Sequence, residues 1–438
     1  MFGLFKKKPK NNFRITDEDR FWVEDNYIWL VQAFGIPKPT KNPITISQMH
    51  FPNAFEKKES LIESVKQDLC QLLSIDASKI IFENHTDLRD IPETPYEFDE
   101  NPFETQLEIF DDAYIIHIAQ SINNHPNRLF FRLILECTKI KLIEEKLDFG
   151  EGEESDLFIY LASLFLGFGI PMFQNLNEKG MSVHGLWEQT WHFISPMPKE
   201  VMAFALALNS ELSNQQHSDW LEDLSLDLKN LYLHAREYLK ENPSSEFTSD
   251  LHTYQAIYLA NVSFKNKETQ KALTILEETI KITDNNFIKA EIYNTIGYIY
   301  LFEKKYELSI EPLETAISLN PQFGYPYNNL GLAFIRLGKL EEGKIQIEKS
   351  MQCEIHHLGY AYRNLAIYYW KKEELDLAIE HFEMAFQNRN NSVHDLEFDY
   401  SQFLFETGDI TGAKKFLNLA IQEGNLEAEE ILKEIQNL

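Results

Sequence analysis

Residues 290–300 read AEIYNTIGYIY, and residues 324–334, which lie 34 positions further along, read GYPYNNLGLAF. The two stretches share an aromatic residue, a glycine and a second aromatic residue at equivalent positions, namely Tyr293 and Tyr327, Gly297 and Gly331, and Tyr300 and Phe334. Similarity at a fixed period of about 20–50 residues is typical of proteins built from stacked supersecondary units. We therefore expect helical hairpins that stack into an array.

The same pattern extends on both sides of these two stretches. We expect five units over residues 253–426, of which the first (residues 253–289) and the last (from residue 394) are the most divergent. A further helix over residues 427–438 follows the last unit. Because an end unit would otherwise expose a hydrophobic face, this helix is predicted to cap the array.

The order of small and aromatic residues resembles the tetratricopeptide repeat (TPR). That repeat has an aromatic residue near its start, then Leu-Gly and a second aromatic residue, and later an alanine and a closing proline. Ala316 and Pro321 supply the last two for the unit that begins at residue 290. The resemblance implies an all-α helical-repeat solenoid that binds a protein or peptide partner.

In this family a concave groove is lined by the second, fifth, ninth and twelfth residues of each first helix. The resemblance therefore implies a partner-binding groove lined by Asn294, Tyr298, Tyr325, Asn328, Leu332, Tyr360, Arg363, Ile367 and Trp370. Asparagine can hydrogen-bond to an extended peptide, and tyrosine and tryptophan supply contact area. The alternative is that another part of the same chain, such as the capping helix or the N-terminal domain, fills this face.

The N-terminal half has a different pattern, which predicts an α+β domain over residues 16–212. Apolar residues at helical spacing alternate there with short apolar runs that predict strands within residues 43–51, 79–83 and 113–118. Residues 87–104 are rich in proline and acidic residues and predict an irregular loop. We expect a basic tail over residues 1–15, and a bridging helix and linker over residues 213–252. The whole chain should be predominantly helical.

Composition limits the possible partners and compartment. The formal net charge of -28 argues against a nucleic-acid partner, because phosphate binding requires a basic face. The three cysteines are far apart in sequence and predict neither a disulfide framework nor a zinc ribbon. The apolar run at residues 157–173 contains two glycines and a proline, so we expect a buried helix that ends near them rather than a membrane span. These features favour a cytoplasmic protein.

A second resemblance lies in the N-terminal domain. Residues 135–142, LECTKIKL, resemble an altered form of the helix His-Glu-Leu-x-His-Val-x-Leu found in bacterial zincin-like metallopeptidases. An acidic loop, Ser-Asp-Leu at residues 155–157 and FLGFGI at residues 165–170 continue the match, with Asn175 beyond them. The resemblance implies that this domain has the fold of a metallopeptidase.

The metal ligands of that family are missing here. Leu135 and Lys139 stand where the active motif has its two histidines, and a leucine cannot bind a metal while an ammonium group repels one. Only Glu136, at the position of the general base, and Asp156, at a possible third-ligand position, remain. The resemblance therefore implies a degenerate domain with no metal, cofactor or catalytic residue, in which Glu136 and Lys139 form a helical ion pair.

Three functions follow from these observations. The one we favour is a non-enzymatic adaptor that binds its partner through the repeats. The first alternative is a metal-dependent hydrolase that uses another set of residues, with the repeats presenting its substrate. The second is a membrane-associated scaffold that uses the basic residues of the N-terminal tail.

Overall fold

The chain divides into two compact units, Met1–Gln255 and Ala256–Leu438. Each unit has its own hydrophobic contacts, and the boundary falls inside one helix. The computed structural model describes residues 13–39, 42–56, 60–85, 105–110, 113–120, 122, 125–147, 149–150, 152–174, 176, 179–184, 187–192, 197–213, 219–389, 393–422 and 424–436. The irregular loop predicted at residues 87–104, most of the N-terminal tail and Asn175 lie outside these ranges.

The first unit opens with helices and a small sheet. Its first elements are α1 (Asp17–Phe34), α2 (Pro52–Glu56), α3 (Leu61–Leu73), β1 (Ile80–His85), β2 (Thr105–Ile109) and β3 (Tyr114–Ala119). The side chain of Thr16 accepts a hydrogen bond from the backbone at the start of α1, and Ser60 does the same for α3. Such N-caps fix where a helix begins, because the first turn has backbone N–H groups without intrahelical partners.

The sheet has β3 in the centre, parallel to β1 on one side and antiparallel to β2 on the other. Ile116 and Ile118 of β3 are completely buried, so one face of the sheet belongs to the core. On the other face His117 lies between Glu108, at 3.0 Å, and Glu83, at 3.6 Å. The strands predicted near residues 79–83 and 113–118 are therefore confirmed.

The strand predicted within residues 43–51 is wrong. This segment forms bends and a turn, in which the backbone N–H groups of His50 and Phe51 both donate to the carbonyl of Ser47. Ile44 and Ile46 still pack against the core, which explains why their alternation looked like a strand. The segment is a core-packed loop that leads into α2.

The long apolar run at residues 157–173 lies inside the first unit. It belongs to α5 (Glu153–Ser163), a π-helical turn (Leu164–Phe168) and α6 (Gly169–Gln174), which follow α4 (Pro126–Glu144). By length and composition the stretch Glu154–Gln174 could cross a membrane, and 78% of its apolar 18-residue window is buried inside the structure. The expected end of a buried helix near the glycines is confirmed, because Gly167, with a φ of 104°, has non-helical backbone and a kink there separates the helix before it from α6.

The rest of the first unit comprises a hairpin and three helices. These elements are β4 (Lys179–His184), β5 (Trp187–His192), α7 (Lys199–Leu212), a 3₁₀ turn (Asp219–Asp223), α8 (Leu226–Glu241) and α9 (Ser245–Lys265). The bridging role predicted for residues 213–252 is wrong, because Tyr232 and Ala235 of α8 and Leu251 of α9 are buried in the core of this unit. The predicted linker is a short break between two packed helices.

The second unit contains the predicted helical hairpins. After the C-terminal part of α9 come α10 (Thr269–Ile282), α11 (Asn286–Phe302), α12 (Tyr306–Leu319), α13 (Gly324–Arg336), α14 (Leu340–Ser350), α15 (Leu358–Lys371), α16 (Leu375–Gln387), α17 (Leu396–Glu406), α18 (Ile410–Gln422) and α19 (Leu426–Gln436). The prediction of a predominantly helical chain with a small sheet in its N-terminal half is confirmed.

Each hairpin turns at a residue with left-handed backbone. These residues recur at the repeat period and are Lys267, Lys304, Gly338, Glu373 and Gly408, with φ between 58° and 93°. The small residues of the pattern serve helix contact instead. A Cβ on Gly331 would lie 2.7 Å from the backbone oxygen of Gly343, so α13 and α14 can cross this closely only without one. At Gly297 the obstacle would be the Leu313 side chain.

Candidate functional site

The nine residues predicted to line the groove fall into two groups. Each lies on α11, α13 or α15, the first helices of three successive hairpins. Four are buried, namely Asn328, Arg363, Ile367 and Trp370, and five are half-buried, namely Asn294, Tyr298, Tyr325, Leu332 and Tyr360. An open groove along all nine positions is therefore wrong, since a buried side chain offers almost no surface to a partner.

Neighbouring repeats are joined by side-chain hydrogen bonds between their first helices. The residue at the fifth position of one repeat pairs with the residue at the sixth position of the next repeat. Asn329 donates from Nδ2 to Oδ1 of Asn294 at 2.9 Å. One unit later, Asn364 donates from Nδ2 to Oδ1 of Asn328 at 3.0 Å. Buried amides need such partners, because an unpaired polar group away from water costs about 1–3 kcal/mol. The asparagines expected to bind a peptide backbone hold neighbouring repeats together instead.

We call this series of side-chain pairs between successive repeats the ladder. Its next pair, one repeat further along, is an ion pair. Arg363 donates from Nε to Oδ2 of Asp399 at 2.7 Å and from Nη2 to the same oxygen at 2.5 Å. Arg336 reaches the other carboxylate oxygen at 3.1 Å, so one aspartate joins three successive units. Burial alone would lower the pKa of Arg363, but the charges of Asp399 and Asp395 and the hydrogen bond to Asp399 together outweigh it and raise that pKa. The guanidinium group is therefore committed to a structural contact.

The residues at the second and twelfth positions on α15 also form hydrogen bonds to the last repeat. The indole N–H of Trp370 donates to Glu406 of the next unit at 3.0 Å. The hydroxyl of Tyr360 accepts a hydrogen bond from the backbone N–H of His394 at 3.3 Å, which reaches the segment before α17. Both residues therefore contact the last repeat, and the alternative that another part of the chain fills this face stays a prediction.

The exposed part of the face is aromatic. Phe264 of α9, Tyr298 and Phe302 of α11, and His394 form a cluster whose ring centroids lie 5.1–6.5 Å apart. Phe302 is 52% exposed, which is unusual for a phenylalanine beside three other rings. Burial raises the pKa of Tyr298, so its phenol stays neutral. We call these four residues the aromatic cluster.

Acidic groups border the aromatic cluster. Asp395 contacts His394 at 2.9 Å and accepts a hydrogen bond from Asn425 at 2.8 Å. Glu427 of the capping helix α19 pairs with Lys304 at 3.0 Å, at the turn that follows α11. The capping helix thus reaches back to the same hairpin that carries the aromatic cluster.

Sequence reasoning missed Phe264, Phe302 and His394. Phe302 directly follows the twelfth residue of its repeat, the last position considered for the groove. Phe264 and His394 lie in the divergent first and last repeats, where the repeat register is hard to assign. A signal did exist for the ladder: Asn328 and Asn364 are separated by 36 residues, and so are Arg363 and Asp399. That spacing marks pairs one repeat apart.

The four residues of the degenerate motif lie close together in the first unit. Glu136 is buried on α4, and its Oε1 accepts a hydrogen bond from the hydroxyl of Thr105 on β2 at 2.7 Å. Lys139 Nζ lies 3.9 Å from Glu136 Oε2 and 3.9 Å from Oδ1 of Asp156. Leu135 is buried in the core. The predicted Glu136–Lys139 pair therefore exists, and its ammonium group also faces the second carboxylate.

This arrangement has a simple electrostatic explanation. Glu136 Oε2 is buried and has no hydrogen-bond donor among the described residues, so the lysine charge is its main compensation. Within the described ranges, no three histidine, cysteine, aspartate or glutamate side chains are grouped as a metal site would require. The side chains of His184 and His192 lie outside the description.

Comparison with known proteins finds tetratricopeptide-repeat proteins that are similar to parts of this chain. A family model of the tetratricopeptide repeat matches residues 290–323. A TPR repeat-containing protein of Methanocaldococcus jannaschii is 25% identical over 209 residues, which are 45% of this chain and 36% of that protein. The heat shock protein STI1 of Saccharomyces cerevisiae is 24% identical over 95 residues, or 22% of this chain and 16% of that protein.

The chain thus spans about a third or less of the length of these relatives. Among solved structures, a thermophilic TPR protein of Thermus thermophilus aligns over 42% of this chain and all of its own length, with 14% identity and a TM-score of 0.37. Residues 290–323 thus match the tetratricopeptide repeat, a motif that commonly mediates contacts between proteins.

Proposed function

We propose that this chain is a non-enzymatic, cytoplasmic scaffold whose repeats bind a protein or peptide partner at the aromatic cluster. The observation that carries the proposal is the 52% exposure of Phe302 within a cluster of four rings. Large aromatic side chains dominate the energy of protein interfaces, and exposed groups of them mark interaction sites. The half-buried Tyr325, Leu332 and Tyr360 extend this surface along the first helices.

The buried ladder supports the proposal in a second way. Because Asn294, Asn328 and Arg363 bond to the next repeat, they fix the spacing of the first helices before any partner arrives. A preorganised surface loses less conformational entropy on binding than a flexible one. The ladder residues then position the contact surface, and the aromatic side chains supply the contact energy.

The test compares the binding face with a control residue on the opposite side of one hairpin. The full-length chain, the variant Tyr298→Ala/Phe302→Ala and the variant Leu308→Ala are used to capture partners from a lysate of the source cells. Leu308 is 57% exposed on α12, the second helix of the hairpin, so its truncation removes a similar amount of apolar surface elsewhere.

We expect the double variant to lose the captured partner, since truncating a hot-spot residue costs about 2 kcal/mol or more, roughly a 30-fold loss of affinity. Leu308→Ala should retain it. Circular dichroism melting checks that both variants fold. Retention by the double variant together with loss by Leu308→Ala would move the binding surface to the second helices and overturn the assignment.

For the N-terminal unit we propose a degenerate zincin-like domain that serves binding or structure rather than hydrolysis. The support is the placement of Lys139, whose ammonium group lies 3.9 Å from both carboxylates that remain of the motif. The side chain of Lys139 supplies the positive charge that balances the carboxylates of Glu136 and Asp156, in the place where the resembled family has a metal ion. Leu135 adds an apolar side chain where the motif of the resembled family has a ligand.

Metal analysis tests this second proposal. The variant Leu135→His/Lys139→His places imidazoles four residues apart on α4, with Asp156 available as a third ligand. We expect it to bind about one zinc ion per chain, whereas Leu135→Ala/Lys139→Ala and the unmodified chain should bind none stoichiometrically. Stoichiometric zinc in the unmodified chain that is lost on Asp156→Ala would contradict the proposal and favour the hydrolase alternative.

A further inference from the structure

Charged side chains border the aromatic cluster, and carboxylates outnumber ammonium groups among them. Oδ2 of Asp395 lies 2.9 Å from Nδ1 of His394, a member of the cluster whose side chain is 48% exposed. Lys304, which follows Phe302 by two residues along the chain, donates to both carboxylate oxygens of Glu427, at 3.1 and 3.0 Å. Two carboxylates and one ammonium group therefore lie at the edge of a surface whose centre is aromatic.

The rest of the second unit adds to this negative charge. Glu303 and Lys305 pair with each other at 3.6 Å, so their charges balance. On the capping helix α19, Glu430 and Glu434 are two further exposed carboxylates. Residues 256–438 contain 28 aspartate and glutamate residues and 18 lysine and arginine residues. Because the summed charge of a surface steers the approach of charged molecules, this unit should attract a cationic partner.

The ion pair between Lys304 and Glu427 is able to exchange its cation. Both side chains are well exposed, Lys304 at 65% and Glu427 at 47%. An exposed ion pair contributes little stability, because water already solvates both charges. An ammonium or guanidinium group of a partner can therefore replace Lys304 on Glu427 at small cost. Aromatic rings attract cations as well, so the neighbouring Phe302 favours the same kind of partner.

We propose that the partner bound at the aromatic cluster is a basic polypeptide segment. One large apolar side chain of the segment packs on Phe302, and a neighbouring lysine or arginine pairs with Glu427 in place of Lys304. This inference rests on the proposed function and names the class of partner that the surface takes. An acidic segment would meet Asp395 and Glu427 with like charge, which disfavours its binding.

The first experiment selects binders from a library of random peptides displayed on phage. Selection is run in parallel on the full-length chain and on its variant Tyr298→Ala/Phe302→Ala. We expect the peptides that are enriched only on the unmodified chain to carry an excess of lysine and arginine beside a large apolar residue. Neutral or acidic peptides that depend on the cluster would overturn the partner class and leave the proposed function intact. If no enriched peptide depends on the cluster, the proposed function fails together with this inference.

The second experiment measures the affinity of one enriched basic peptide, labelled with fluorescein, by fluorescence anisotropy. Glu427→Gln should weaken binding by roughly two- to fivefold, the size expected when an exposed ion pair is lost. Lys304→Gln should strengthen binding by a similar factor, since it removes the competing cation from the same carboxylate. Glu314→Gln is the matched control: it neutralises an exposed carboxylate on α12, the second helix of the hairpin, and should leave binding unchanged.

The opposite signs of the two variants distinguish recognition of charge from a structural role. If the ion pair only held the capping helix in place, Glu427→Gln and Lys304→Gln would change binding in the same direction. Equal weakening by both variants, or no effect of either, would therefore overturn the exchange of cations at Glu427. The affinity of the unmodified chain should also fall as the salt concentration rises, because salt screens exposed charges. An affinity that does not depend on salt would overturn the basic class of partner.

Discussion

Replacing Asp399 with alanine should destabilise the end of the repeat array more than any change at an exposed charge. The Asp399 side chain is 2% exposed, and it accepts hydrogen bonds from both Arg363 and Arg336. Alanine would remove the carboxylate and leave the Arg363 guanidinium group, itself 9% exposed, without its partner. Asn364 also accepts a hydrogen bond from Arg363, at 3.4 Å, but a neutral amide cannot replace the lost charge.

The expected cost follows from this burial. Removing one partner of a buried ion pair costs about 3–5 kcal/mol, because the remaining charge stays out of water without compensation. Since every 1.4 kcal/mol is about a tenfold change in an equilibrium constant, local opening of α17 should become roughly 100-fold or more frequent. The effect should concentrate in the last unit, because each repeat in such an array is stabilised by its neighbours.

Hydrogen exchange measured by mass spectrometry on the full-length chain is the suitable assay. Peptides from α17 should exchange roughly 100-fold faster or more in Asp399→Ala, while peptides from α11 should change little. Glu341→Ala is the matched control. Its carboxylate also accepts a hydrogen bond and pairs with Lys372, but it is 66% exposed, so its loss should cost under about 1 kcal/mol.

The reasoning also predicts the sign of a double change. Arg363→Met/Asp399→Leu removes both charges and should be less destabilising than Asp399→Ala alone, because no unpaired charge stays buried. If Asp399→Ala accelerates exchange in α17 by less than tenfold, or by no more than Glu341→Ala does, the ion pair is not what holds the last repeat in place.

Two further predictions concern packing and acid stability. Gly331→Ala should lower the melting temperature of the repeats by roughly 4–10 °C, since overpacking against backbone costs about 1–3 kcal/mol. Gly297→Ala should lower it less, because the Leu313 side chain can move aside. Equal shifts of the two melting temperatures in a calorimetric scan would contradict this. Burial would raise the pKa of Asp395, but His394, Arg363 and Asn425 outweigh it and hold that pKa below its usual value. A lowered carboxyl pKa contributes stability that is present above the unfolded pKa, near about 4, and lost as the pH falls further. The difference in melting temperature between the unmodified chain and Asp395→Asn should therefore shrink below about pH 4, and a difference that grows on acidification would refute it.

The repeats could be predicted from sequence because their pattern reports local contacts. Gly331 must be small for α13 and α14 to cross, and this need recurs in every hairpin, so the period is visible. The fate of the groove residues was not visible in the same way. Whether Asn328 faces solvent or the next repeat depends on how tightly successive hairpins pack, which no single unit encodes.

Residues that stabilise the array lie in its divergent end repeats, where the sequence pattern does not assign their positions. Asp399 pairs with Arg363, but it lies in a unit without the aromatic start that would have fixed its register. A different misreading concerns the N-terminal compact unit, Met1–Gln255. Pro243 suggested a linker there, because proline ends helices. The buried Phe247 and Leu251 immediately after it show that α9 returns to the same core. A proline marks the end of a helix without marking the end of a domain.

Site-specific photo-crosslinking tests the proposed partner-binding surface most directly. A photoreactive phenylalanine analogue placed at position 302, in the aromatic cluster, is compared with the same analogue at position 308, on the opposite helix of the hairpin. Irradiation of living cells should give a discrete crosslinked protein from position 302 and none from position 308. Crosslinks from position 308 with none from position 302 would contradict the account.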